Sequence, residues 1–94
     1  MNWEELFNDN NIVFHCGTEE VSKKLLSLAE SFGYKWASGD SFSTLDYWYL
    51  NDKNTCYNIC DGVFYSLFFC KSYKIIKVND SMFGIKPLIK FKRK

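Results

Sequence analysis

One stretch of the sequence has the spacing of an amphipathic helix, and it constrains the fold more than any other feature. Apolar side chains recur there at intervals of four, three and four residues, which places them on one helical face. They are Val21, Leu25, Leu28 and Phe32. Thr18 suits the N-cap and Gly33 suits the C-terminal stop, so the sequence predicts a helix over 18–32.

The rest of the chain has the character of short strands separated by turns. Residues 12–16 form an apolar run before the helix, and five further runs follow it, at 34–37, 47–50, 55–60, 63–69 and 73–78. Asp61-Gly62 predicts a two-residue hairpin turn that pairs Cys56 with Leu67. The first strand and the run at 34–37 are expected to be parallel neighbours.

The predicted order is therefore β-α-β-β-β-β-β. We expect an α+β fold, in which one mostly antiparallel sheet is covered on one face by a single main α-helix. The chain is 94 residues long, enough for one hydrophobic core, so residues 1–94 are predicted to form a single domain. Residues 1–11 make a short N-terminal extension, with a short helix over 2–7, and residues 81–94 a basic C-terminal tail.

Charge is unevenly distributed along the chain. Residues 81–94 carry five bases and no acid, whereas residues 1–80 carry seven bases and eleven acids, a net charge of −4. A protein that mimics DNA needs a far more negative body, and a nucleic-acid binder usually carries its bases on a folded face. The sequence therefore argues against a nucleic-acid partner.

The four cysteines are predicted to be free thiols. No basic, apolar leader is visible and no run approaches the ~20 apolar residues of a membrane span, so we expect an intracellular protein with no membrane partner. Cysteines are normally reduced in such a compartment. Cys56 and Cys60 would lie about 13 Å apart on a strand, too far to share one metal ion. With one histidine in the chain, we predict no metal and no cofactor.

No arrangement of residues predicts catalysis. His15 and Cys16 are adjacent on a strand and therefore point to opposite faces, so they cannot form a nucleophile pair. Asp40, Asp52 and Asp61 lie in or beside turns, where aspartate serves local hydrogen bonding. We therefore predict that the protein is not an enzyme. His15 ends its strand just before the helix, where it either makes a local hydrogen bond or contacts a ligand.

Aromatic residues make up 19% of the chain, and they are the main candidates for a binding surface. Aromatic rings on an exposed sheet face stack on nucleobases or anchor a protein partner. The predicted ligand-binding residues are His15, Lys35, Trp36, Ser38, Trp48 and Tyr57. The alternative is that the tail, the N-terminal helix or a second subunit of a homo-oligomer covers this face.

Three segments together resemble a group of small bacteriophage and prophage proteins of low-GC Gram-positive bacteria. They are His15-Cys16-Gly17-Thr18-Glu19-Glu20 with Gly33-Tyr34-Lys35-Trp36-Ala37-Ser38-Gly39, then Trp48 with Asn54-Thr55-Cys56-Tyr57-Asn58-Ile59, and Tyr73-Lys74-Ile75-Ile76-Lys77-Val78. The resemblance covers roughly residues 12–80 and supplies no catalytic residue. Where the group tends to have Gly-Tyr before the final Ile-Ile, this chain has Ser72-Tyr73.

The resemblance implies a phage accessory protein in the cytoplasm of the host cell. Such proteins often act against bacterial defence systems by binding. The first hypothesis is that this chain sequesters a nucleotide immune signal, such as a cyclic nucleotide or an ADP-ribose derivative, in an aromatic pocket. The alternative is a protein inhibitor that blocks a host defence protein such as a CRISPR nuclease. A second alternative is a phage accessory protein with no defence role.

Overall fold

The sheet is built on the strand that precedes the main helix. In the computed structural model, which describes residues 2–44 and 47–83, this strand is β1, Ile12–Cys16. The other strands are β2 (Thr55–Asn58), β3 (Val63–Ser66) and β4 (Lys74–Val78). The strand order is β3-β2-β1-β4, with β1 antiparallel to β2 and parallel to β4. The described part of the chain is therefore α+β with a mixed four-stranded sheet.

The helices lie before and between these strands. They are α1 (Trp3–Phe7), α2 (Glu19–Ser31) and α3 (Trp48–Asn51). Single 3₁₀ turns span Asp52–Asn54, Leu67–Phe69 and Asp80–Phe83. Both α1 and α2 begin at a side-chain cap, since Asn2 accepts the backbone N–H of Glu5 and Thr18 that of Val21. The predicted basic tail lies outside the described residues from position 84 onward.

The main helix lies where the sequence predicts it, but its buried face differs at one end. The buried residues of α2 are Val21, Ser22, Leu25, Leu26 and Ala29. Leu28 is only partly buried and Phe32 is 44% exposed. Phe32 is the C-cap and lies beyond the last helical turn, so the helical spacing no longer directs its ring toward the sheet.

Two of the predicted strands are wrong. Residues 34–37 form an irregular segment, because Trp36 N–H bonds to the Asp40 carbonyl and Gly39 N–H bonds to the Trp36 carbonyl. These local bonds use groups that a strand would present to a neighbour. Residues 48–50 are helical, as the first turn of α3, and not extended. The parallel neighbour of β1 is accordingly β4 and not the segment that follows α2.

The hairpin between β2 and β3 exists, but its register differs from the predicted one. Asn58 pairs with Val63 and Cys56 with Tyr65, so the loop has four residues and not two. Asn58 Oδ1 accepts the Asp61 N–H at 3.0 Å, and this side-chain bond sets the longer turn. The shift is an even number of residues, so each side chain keeps its predicted face.

Both faces of the sheet are covered, and more than one helix contributes. On the first face, Phe7 of α1 packs edge-on against Phe14 of β1, with ring centroids 5.3 Å apart, beside α2. On the second face, residues 67–73 connect β3 to β4 across the sheet. Cys70 in that connection is buried with Val13 and Cys56. The predicted covering of one face by a single helix is therefore too simple.

Gly62 controls how the irregular segment meets the sheet. A Cβ at this position would lie 2.4 Å from the Lys35 carbonyl oxygen and 2.7 Å from the Ala37 nitrogen. The Ala37 N–H donates to the Gly62 carbonyl at 2.9 Å, so two backbones meet directly. Gly62 also has φ +68°, which strains any other residue.

We predict that Gly62→Ala destabilises the protein by about 3 kcal/mol or more, because it adds a backbone clash to left-handed strain. Gly39→Ala is the matched control. Gly39 also has positive φ, but nothing lies within 4 Å of an added Cβ, so its cost should be about 1–2 kcal/mol. Urea unfolding of both variants measures the difference. Equal losses would show that the close approach at Gly62 contributes nothing.

Candidate functional site

Two of the predicted ligand-binding rings lie in the core. Trp36 is 4% exposed and Tyr57 is fully buried. The Tyr57 hydroxyl lies 2.6 Å from Ser22 Oγ, and this buried hydrogen bond joins β2 to α2. Both rings therefore lie inside the protein. The sequence predicts them on an exposed face of the sheet, and the structure does not place them there.

Trp36 is the centre of a cluster of rings. Its ring centroid lies 4.7 Å from that of Phe42 and 5.0 Å from that of Tyr47, both in edge-to-face geometry. The rings of Tyr57 and Phe64 each lie 6.0 Å away. These four partners come from different parts of the chain, so the indole joins the segment after α2 to the hairpin of β2 and β3.

An open cavity of about 200 Å³ lies at the surface of this cluster, and we call it the aromatic cavity. It is lined by Trp36, Ala37, Ser38, Tyr47, Gly62, Val63 and Phe64. Tyr47 and Phe64 stack on each other, with centroids 4.7 Å apart and planes within 13° of parallel. Trp36 stands edge-on to both rings. The arrangement suits a flat apolar group that continues the stack.

The polar residues of the predicted site lie beside this cavity or away from it. Ser38 lines it, and its hydroxyl donates to Asp40 Oδ2 at 3.0 Å. Lys35 is exposed and lines a neighbouring cavity of about 300 Å³ together with Glu30. Hydrogen bonds from the Ser41 hydroxyl and the Ser43 backbone lower the pKa of Glu30, so a carboxylate as well as the lysine lines that cavity.

His15 lies elsewhere, and Trp48 does not line the cavity, although the preceding residue Tyr47 does. His15 shares the second face of the sheet with Cys56, and its Nε2 lies 2.7 Å from the Lys53 carbonyl oxygen. This hydrogen bond joins β1 to the 3₁₀ turn before β2. Trp48 begins α3, where its carbonyl accepts the Thr55 hydroxyl at 3.3 Å. The structure thus brings Trp36 and Ser38 together, with Lys35 nearby, and leaves His15 apart.

Tyr47 and Phe64 belong to the cavity but are absent from the predicted site. Strand alternation does place Phe64 on the same face as its partner Tyr57, so a sequence signal for it existed. Tyr47 has no such signal. It adopts a left-handed conformation with φ 56° at the start of α3, which a tyrosine rarely does, and the sequence predicted a strand there.

Three of the four cysteines are inaccessible. Cys16, Cys56 and Cys70 are fully buried, and Cys60 is partly exposed. Burial raises the pKa of the Cys16 thiol and raises that of Cys56 to about 12. Within residues 2–44 and 47–83, no three His, Cys, Asp or Glu side chains are grouped as they would be around a metal ion.

Comparison with protein families, with curated proteins and with solved structures finds no match to this chain. Among the residues that the structure describes, no helix has the length and apolar character needed to cross a membrane.

We predict that a thiol reagent at pH 8 modifies Cys60 rapidly in the folded protein and the other three cysteines only as the chain unfolds. Burial excludes the reagent from those three. Partial burial and the carboxylates of Asp61 and Asp9 also raise the pKa of Cys60, so its access to solvent makes it the reactive thiol, and its modification should speed up as the pH rises.

Denaturant without reductant should expose four thiols. Cys60→Ser should abolish the rapid phase, whereas a rapid phase that survives this change would contradict the burial of Cys16, Cys56 or Cys70.

Proposed function

We propose that this protein is a phage accessory protein that acts by binding and not by catalysis, and that it holds the flat ring of a nucleotide signal in the aromatic cavity. The observation that carries the proposal is the stacked pair of Tyr47 and Phe64 with Trp36 edge-on beside it. The phage setting comes from the sequence resemblance of residues 12–80.

The cavity favours a ring over other ligand groups. Its volume of about 200 Å³ accommodates one flat heterocycle, and five of its lining residues are apolar or aromatic. Stacking of a base on an aromatic side chain contributes about 1–3 kcal/mol. A ring placed against Phe64 or Tyr47 extends a stack that is already formed, so little ordering of side chains is needed.

Polar groups near the cavity would orient the ligand. The Ser38 hydroxyl donates to Asp40 Oδ2 and its oxygen accepts the Asp40 N–H at 3.4 Å, which leaves one lone pair able to accept an N–H from a base. The exposed ammonium of Lys35 lies on the same segment and would attract a phosphate. The ring would therefore enter between the aromatic side chains, with its charged groups toward solvent.

Titration with cyclic dinucleotides, cyclic trinucleotides and ADP-ribose derivatives tests the proposal. We expect one of them to quench tryptophan fluorescence, because Trp36 lines the cavity. Ala37→Leu should weaken binding at least tenfold by filling the cavity, without removing any core contact. Phe64→Ala should weaken it as well, and Tyr49→Ala, which changes an exposed ring on α3, is the matched control.

Absence of binding by every member of the panel would contradict the proposal. Equal binding by Ala37→Leu and the unchanged protein would contradict the assignment of the cavity. If no nucleotide of the panel binds and the protein forms a stoichiometric complex with a purified defence nuclease, the inhibitor hypothesis replaces nucleotide sequestration.

A further inference from the structure

Two adjacent phenylalanines are the most exposed large apolar side chains that the structure describes. Phe68 is 67% exposed and Phe69 is 78% exposed. Both lie in the 3₁₀ turn that opens the connection from β3 to β4. Large apolar groups side by side on a surface usually mark a contact with another molecule.

Hydrogen bonds hold this turn at both ends, so the two exposed rings lie on an ordered element of the structure. The Ser66 hydroxyl accepts the Phe68 N–H at 3.4 Å, and the Cys70 N–H donates to the Leu67 carbonyl at 3.3 Å. Cys70 itself is fully buried, and its thiol contacts the Ser66 carbonyl. The two phenyl rings are therefore displayed by an anchored backbone.

Positive charge follows this turn in the sequence, between Asp61 and Asp80. Residues 62–79 contain three lysines and no acid. They are Lys71, Lys74 and Lys77, all exposed. Lys77 pairs with His15 on the second face of the sheet, where Ile75 is also 41% exposed. We call Phe68, Phe69, Lys71, Ile75 and Lys77 the Phe68–Phe69 surface.

The C-terminal sequence has the same composition. Residues 81–94 carry five bases and no acid, interleaved with apolar residues such as Leu88, Ile89 and Phe91. Aromatic side chains together with several lysines are the combination that binds anionic lipid headgroups, because neither signal alone gives stable attachment.

We propose that the Phe68–Phe69 surface binds an anionic membrane peripherally, with the two phenyl rings in the interfacial region and the lysines on the headgroups. This goes beyond the proposed function and does not depend on it. Three exposed lysines beside two exposed phenyl rings favour an anionic lipid surface, because each lysine near such a surface is attracted by its negative potential. The expectation of no membrane partner rests on the lack of a spanning segment in the sequence, and peripheral binding needs no such segment.

Co-sedimentation with vesicles tests the proposal. We expect the full chain to bind vesicles of phosphatidylcholine mixed with phosphatidylglycerol and not vesicles of phosphatidylcholine alone. Phe68→Ser with Phe69→Ser should lower binding at least tenfold. Tyr49→Ser with Leu50→Ser is the matched control, because it removes an exposed apolar pair on α3 and should leave binding unchanged.

Charge and salt give an independent readout. Lys71→Gln with Lys77→Gln should lower binding more than Lys23→Gln with Lys35→Gln, and added salt should weaken binding by the unchanged protein. Thermal unfolding of each variant shows that it is folded. The proposal is overturned if the full chain does not bind anionic vesicles, or if the phenylalanine double variant binds them as well as the Tyr49→Ser with Leu50→Ser control does. It is also overturned if the phenylalanine pair instead holds two copies together, seen as a dimer that the double variant dissociates.

Discussion

The contact of the Trp36 indole with four other rings is the interaction on which the rest of this structure depends. Residues 34–44 contain no strand or helix, and most of their backbone hydrogen bonds close within the segment, whereas the Ala37 N–H reaches Gly62 of the hairpin. Their attachment to the sheet rests on the indole and on the direct meeting of the Ala37 and Gly62 backbones. Burying one large aromatic side chain stabilises a small domain by a few kcal/mol, a substantial share of its total.

The same contact explains why the aromatic cavity exists. Trp36 fixes the position of Ala37 and Ser38 on one wall, and Tyr47 and Phe64 form the other. Trp36 and its four partner rings thus attach an irregular segment to a small sheet. Only the outer side of the ring cluster remains open to a ligand. A second set of rings packs around α1 on the first face of the sheet: Trp3, Phe7, Phe14, Phe32, Tyr34 and Phe83.

Local sequence signals predicted the elements that depend on local interactions. The helix over 18–32 and the strand at 12–16 were predicted correctly. The N-cap and the helical spacing of apolar residues specify the helix, and the turn-forming residues on either side delimit the strand, so neither depends on distant residues. The runs at 34–37 and 47–50 have strand-like composition, yet contacts with the hairpin and a left-handed Tyr47 decide their conformation. Propensity is overridden there by tertiary packing.

The sequence predicts only part of the candidate site. Trp36 and Ser38 are two residues apart, and the structure does bring both to one cavity. Tyr57 was placed on a binding face because the sequence does not show which side of the sheet α2 covers. His15 lies on the second face of the sheet, away from the cavity, because its register on β1 places it there, and its position in the sequence alone does not reveal this.

Hydrogen exchange of the Trp36→Leu variant tests the central claim most directly, because leucine keeps an apolar group and removes the ring contacts. The account predicts the largest loss of protection at the amides of Ala37 and Gly39, whose bonds belong to the attached segment, and a smaller loss in β1 and β4 that matches the fall in global stability. Unchanged protection at Ala37, or an equal loss of protection throughout the sheet, would contradict the role assigned to Trp36.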